Sequence, residues 1–137
     1  MAIPVIPLLG DGAPLVTYPI ISELSPGPFM TRLGTIALDW KKVFVTLSDE
    51  RWVPVDHPRS NHRLVTETLF TGHANAATFV PLYQEGIDCH DAVVPLSERL
   101  TRDALPLDVC VLGMGEDLHT ASLFPGAEGL ARALDPS

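Results

Sequence analysis

Residues 113–119 hold two glycines, two acids and a histidine, directly after an apolar run at 109–112. The run reads as a buried strand, and Gly113 and Gly115 as the turn at its end. Glycines there let the backbone approach a ligand closely and adopt positive φ. Their amides could cradle a phosphate or an oxyanion, helped by a following helix N-terminus; the same pair would also serve a plain tight turn. His119 is a candidate general base or acid near neutral pH, with Asp117 placed to orient it. Its other reading is a surface histidine capping a helix. Asp117 and His119 supply at most two metal ligands and no second cluster has a metal-binding spacing, so no metal site is expected.

A second polar burst has the same form. Residues 43–47 (Val-Phe-Val-Thr-Leu) read as a strand, and Ser48, Asp49, Glu50 and Arg51 follow at its end. Open α/β sheets keep their ligand crevice at the carboxyl ends of strands, which is where both bursts fall. The rigid fork of Arg51 suits bidentate contact with a phosphate or a carboxylate; a structural ion pair with a nearby acid is the alternative. Arg59, Arg63 and the Lys41–Lys42 pair could add positive charge, although the lysines fit a solvated face. Trp40 and Trp52 read as packing residues. His57, His62, His73 and His90 receive no role.

These side chains need a scaffold, and the spacing supplies one. Residues 1–28 carry six of the 13 prolines and read as extended or irregular, with a weak strand signal at 15–21, because proline fixes the backbone and removes a donor. Apolar spacing predicts a helix over 29–37. Ser60 is a plausible N-cap for a helix over 61–70, with Gly72 as its stop signal. A short strand is expected at 78–82. A helix over 92–105 is expected to be broken in its first turn by Pro95. A strand is expected at 107–112, and a turn or short helix at 118–123. Alternating strands and helices predict an α/β fold: an open, mostly parallel sheet with helices on both faces.

Composition narrows the function classes. At 137 residues and 46% hydrophobic content, the chain suits one globular domain able to bury a core. A net charge of −8 argues against a nucleic-acid surface, so phosphate binding must rest on a local basic cluster. No apolar run approaches the roughly 20 residues of a membrane span, and no membrane partner is expected. The apolar start is cut by Pro4 and Pro7 and has no basic flank, so no signal peptide is expected. Cys89 and Cys110 fit a reducing compartment, hence a cytoplasmic location. Cys110, in an apolar strand, reads as inert core.

Taken together, residues 38–54 (Leu-Asp-Trp-Lys-Lys-Val-Phe-Val-Thr-Leu-Ser-Asp-Glu-Arg-Trp-Val-Pro), 56–61 (Asp-His-Pro-Arg-Ser-Asn) and 112–126 (Leu-Gly-Met-Gly-Glu-Asp-Leu-His-Thr-Ala-Ser-Leu-Phe-Pro-Gly) resemble the 6-phosphogluconolactonase family in type, order and separation. The resemblance covers about residues 24–137. It implies a Rossmann-like fold shared with glucosamine-6-phosphate deaminase and ribose-5-phosphate isomerase. The implied activity is hydrolysis of 6-phospho-D-glucono-1,5-lactone to 6-phosphogluconate in the oxidative pentose phosphate pathway, without metal or other cofactor. By the same resemblance His119 matches the histidine that activates water, Arg51 an arginine near the phosphosugar, and Asp49 and Asn61 site-lining positions.

The chain departs from the family pattern in three places. Residues 24–29 (Leu-Ser-Pro-Gly-Pro-Phe) replace a Ser-Gly-Gly-x-Thr-Pro loop, and residues 1–23 form an atypical opening to an otherwise single, partial domain. Leu118 stands where glycine is common. The family's carboxyl-terminal strands and helices are not represented, which suggests a truncated chain with one exposed sheet edge; self-association into a homo-oligomer would cover that edge. An inactive or weak phosphosugar-binding module is therefore the alternative to an active lactonase. An isomerase or deaminase of the same fold is disfavoured by residues 120–126, which look like the lactonase pattern.

Overall fold

The computed structural model describes residues 4–5, 18–20, 27–113 and 119–135. In chain order the regular elements are β1 (Pro4–Val5), β2 (Tyr18–Ile20), α1 (Gly27–Gly34), β3 (Phe44–Leu47), α2 (Asn61–Thr68), β4 (Thr78–Val80), α3 (Cys89–Asp103), β5 (Val111–Gly113) and α4 (Leu130–Ala133). Single 3₁₀ turns lie at Trp40–Lys42, Leu69–Thr71 and His73–Ala76.

β3 organises the larger sheet. It pairs parallel with β4 on one side, Val45 opposite Phe79, and antiparallel with β1 on the other, Val5 opposite Thr46. A strand flanked on both edges and covered on both faces reads as a continuous apolar run rather than an alternating one, and Val45, Thr46 and Leu47 are all buried. The polar member, Thr46, is satisfied because its hydroxyl donates to the Val80 carbonyl at 2.8 Å. β2 and β5 form a second, parallel pair with Ile20 opposite Gly113, and β1 touches β5. The fold is α/β with mainly parallel pairing, as expected; the two-residue β1 supplies the antiparallel exception.

The core lies against β3, between it and the helices that follow α/β logic. Met30 of α1, Trp40, Val45, Val65 of α2 and Leu69 are each almost completely buried. The Trp40 indole N–H donates to the Ile36 carbonyl at 2.8 Å, so the ring is buried without leaving an unsatisfied donor. α1 and the 3₁₀ turn after α2 approach at backbone distance. A Cβ on Gly34 would overlap the Leu69 carbonyl, and one on Gly72 would stand 2.7 Å from the Gly34 carbonyl oxygen. Both glycines are thus packing requirements, and Gly72 closes the α2 region as its sequence position suggested.

Several boundaries differ from the sequence-based expectation. The first helix begins two residues earlier and ends at Gly34. α2 ends at Thr68, and Phe70 falls in the 3₁₀ turn with φ −84° and ψ 23°. The β4 and β5 strands are shorter than the apolar runs that contain them. The largest correction concerns α3. It begins at Cys89, three residues before the expected start, and runs without interruption through Pro95. Asp88 is the reason: its carboxylate accepts from the His90 amide at 2.9 Å, a side-chain N-cap. Pro95 therefore sits inside the helix, and the carbonyl of Asp91 loses its usual i+4 donor. Asp91 and residues 93–95 are exposed, so the loss falls on the solvent side of the helix, where it costs least.

Candidate active site

A hydrogen bond links the loop after β3 to the turn at residues 120–123. Ser122 Oγ donates to Asp49 Oδ2 at 3.2 Å. On its other side Asp49 is held by Asn61, whose amide donates to Asp49 Oδ1 at 2.9 Å and to the Asp49 carbonyl at 3.1 Å. Asn61 is the first residue of α2 and is buried. Two residues expected to line a site, Asp49 and Asn61, are thus in direct contact, and Ser122 joins them from the second motif. Burial raises the Asp49 carboxyl above its ordinary value of 3.8, while the Ser122 hydrogen bond and the Arg51 guanidinium pull it back down.

Glu50 has a different job from its neighbours, one that the sequence reading missed. Its carboxylate accepts from the Asn61 amide at 2.8 Å, the His62 amide at 2.8 Å and the Ser60 hydroxyl at 3.3 Å. It also accepts from its own neighbour, the Arg51 amide, at 2.7 Å. Ser60 caps the same helix, accepting from the Arg63 amide at 3.2 Å, as expected. A carboxylate at a helix N-terminus satisfies orphan donors and complements the dipole. The signal was present in the sequence only as an acid eleven residues before a helix start, a spacing without local meaning.

Because Glu50 is turned to the helix, the Arg51 side chain is left to face outward. It is exposed, and among the described residues it forms no ion pair. The structural ion pair considered for it is not made there. The next residue, Trp52, has φ 48°, a costly conformation for a bulky side chain. Its indole N–H donates to the Ile87 carbonyl at 3.0 Å and its ring packs edge-on against Tyr83, centroids 5.7 Å apart. Trp52 thus packs, as expected, and fixes the chain direction just after Arg51.

The other loop shows the same device. Ala121 has φ 51°, and the Leu123 amide donates to the Thr120 carbonyl at 2.9 Å, so residues 120–123 form a tight turn. Ser122 sits at its apex. His119 enters the turn half-buried, and its ring stacks on Phe124 with centroids 4.5 Å apart and planes 24° from parallel. Among the described residues, Trp52 and Ala121 are the two non-glycine positions with positive φ, and each lies in one of the two motif loops. Gly113 is the last residue of β5 and pairs with Ile20. Gly115 and Asp117 lie outside the described residues, as does Leu118.

Two further features stand apart from these loops. A cavity of about 380 Å³ lies between the start of β3 and the end of α3, lined by residues that include Phe44, Arg102, Leu105 and Asp108. It is at the opposite end of β3 from Asp49 and holds none of the candidate site residues. Asp88, Cys89 and His90 bring three potential ligand atoms within 4.8 Å of one another. They are consecutive, exposed residues, and Asp88 is engaged as the α3 cap. Cys110 is half-buried, and burial pushes its thiol up, which keeps it protonated at neutral pH.

The chain is α/β, with polar residues following two of its parallel strands, β3 and β5, and sequence comparison identifies its family. Residues 23–136 match the family model described as glucosamine-6-phosphate isomerases/6-phosphogluconolactonase, and the chain belongs to that family. It is 50% identical over 113 residues to a 6-phosphogluconolactonase of Rhizobium meliloti, covering 82% of this chain and 49% of the relative. It is also 50% identical over 111 residues to one from Pseudomonas putida, covering 81% of this chain and 46% of the relative. The crystal structure of a 6-phosphogluconolactonase from Shewanella baltica superposes with a TM-score of 0.77 at 36% identity, covering 87% of this chain and 51% of that one. The chain spans about half the length of the curated relatives it matches. No helix among the described residues is long and apolar enough to cross a membrane.

Proposed function

We propose that this chain carries the site for hydrolysis of 6-phospho-D-glucono-1,5-lactone to 6-phosphogluconate. The observation that carries the reading is the Ser122–Asp49 hydrogen bond. It brings the loop of the candidate base and the loop of the candidate anchor, distant in sequence, to one place in a chain of this family.

Lactone hydrolysis is acyl transfer to water. His119 takes a proton from the water as its oxygen bonds to the ring carbonyl carbon. The tetrahedral oxyanion is stabilised by backbone amides of residues 113–115, which alternatively hold the phosphate. Collapse breaks the bond from the carbonyl carbon to the ring oxygen, and the proton held on His119 passes to that oxygen. Arg51, exposed and unpaired among the described residues, binds the substrate's phosphate. Asp49 and Asn61 line the sugar, and Asp117 orients His119. No redox step occurs, and no cofactor is required by this scheme.

Turnover of freshly made lactone by the purified chain tests the reading, measured against spontaneous hydrolysis and against His119→Ala. A positioned base contributes about 10² to 10⁴ in rate, so the variant should lose that much of kcat. Arg51→Ala should instead raise KM. Leu118, standing where the family commonly has glycine, favours one alternative, a phosphosugar-binding module without catalysis. Calorimetric binding of 6-phosphogluconate with a background rate of hydrolysis would establish it.

A further inference from the structure

We propose that Ser122 is a positioning residue for His119: it ties the apex of the 120–123 turn to Asp49, and so fixes the imidazole in place. The role assigned to His119 rests on the lactonase reading; the positioning itself is a matter of geometry.

Three observations converge on this turn. Its apex is anchored, because Ser122 Oγ reaches Asp49 Oδ2 at 3.2 Å. The anchor is rigid, because Asp49 is itself held by two hydrogen bonds from Asn61 at the start of α2. The turn is tight, closed by the Leu123-to-Thr120 bond and by the left-handed Ala121. Such a conformation persists only where surroundings over-determine it, and the Ser122 bond is one such constraint. His119 enters the turn and Phe124 leaves it, and the two rings stack at 4.5 Å. Moving the apex moves both ends, so the constraint at Ser122 is transmitted to the imidazole through three residues of backbone and one aromatic contact. A misplacement of about 1 Å can cost a reacting group about 10²-fold in rate.

The test combines turnover with proton NMR of the His119 ring, assigned by its loss in His119→Asn. Stacked on Phe124, the ring protons carry a ring-current shift. In Ser122→Ala the turn loses its anchor. The His119 resonances should then move toward those of free histidine, and kcat should fall about tenfold or more with KM within about twofold. Ser122→Thr keeps the hydroxyl and should restore both. Unmoved His119 resonances in Ser122→Ala would overturn the proposal, whatever happened to the melting temperature or the rate. If the native chain shows only the spontaneous rate while the resonances move in Ser122→Ala and return in Ser122→Thr, the lactonase reading fails and the positioning role stands.

Discussion

Ser122 and Asp49 are 73 positions apart and are joined by one hydrogen bond of 3.2 Å. The acceptor is a half-buried carboxylate whose charged form is disfavoured by burial and favoured by Ser122 and Arg51. The net outcome is a carboxyl raised above 3.8, so the folded state binds this proton more tightly than the unfolded state does. The stability this group contributes is complete below its unfolded value and is lost as pH rises through its folded value.

Asp49→Asn keeps the shape and an acceptor for Ser122 but removes the charge. The difference in unfolding free energy, variant minus native, should therefore grow as pH rises from 3.8, then level off above the folded value. Urea denaturation at a series of pH values reads this directly. A difference that stayed flat, or that shrank with rising pH, would show that burial does not dominate at Asp49.

Glu50 makes a sharper prediction about stability. It accepts from two first-turn amides of α2 and from the Ser60 hydroxyl. Glu50→Ala leaves these donors without their acceptor at the start of a helix that carries buried Val65. Loss of a helix cap and of hydrogen bonds to a charged group should cost about 2–4 kcal/mol, measured by denaturant unfolding. A cost below about 0.5 kcal/mol would match an ordinary surface position and would remove Glu50 as the cap.

Local chemistry in the sequence was enough to find α2, because Ser60 is a capping residue and Gly72 a stop, and enough to find β3, because an apolar run ends in a polar burst. It located both loops of the candidate site for the same reason. It did not reveal that Glu50 serves α2 or that Ser122 reaches Asp49, since a hydrogen bond between distant loops leaves no periodic trace. Pro95 misled in the other direction. Read as a breaker of the first turn, it interrupts nothing: α3 runs through it from Cys89, capped by Asp88, on an exposed stretch that tolerates the missing donor. The roles of Gly34 and Gly72 in the packing of α1 were also hidden, because a glycine needed for close approach looks like any helix end.

Gly34→Ala tests that close approach. The added methyl would meet the Leu69 backbone carbonyl, which belongs to a 3₁₀ turn and cannot swing aside as a side chain would. Overpacking of this kind costs about 1–3 kcal/mol, although alanine is the better helix former. Thermal and urea unfolding should both show the loss. A stabilised Gly34→Ala would mean that α1 and the turn after α2 do not touch.

His62 gives the opposite pH signature to Asp49. Its Nδ1 is buried with no hydrogen-bond partner among the described residues, and its ring packs on Phe79 with centroids 4.6 Å apart. Burial lowers its pKa from 6.5, and the Glu50 carboxylate opposes that shift. The folded state therefore binds the proton less readily than the unfolded chain. The stability contributed by neutral His62 is present above 6.5 and is lost as pH falls from there through the lowered folded value. His62→Gln cannot titrate, so the native-minus-variant difference in unfolding free energy should fall across that window, while contributions from the other histidines cancel. Equal slopes for the two proteins below 6.5 would show that the imidazole reaches solvent freely, and would separate the α2 cap from any control by His62.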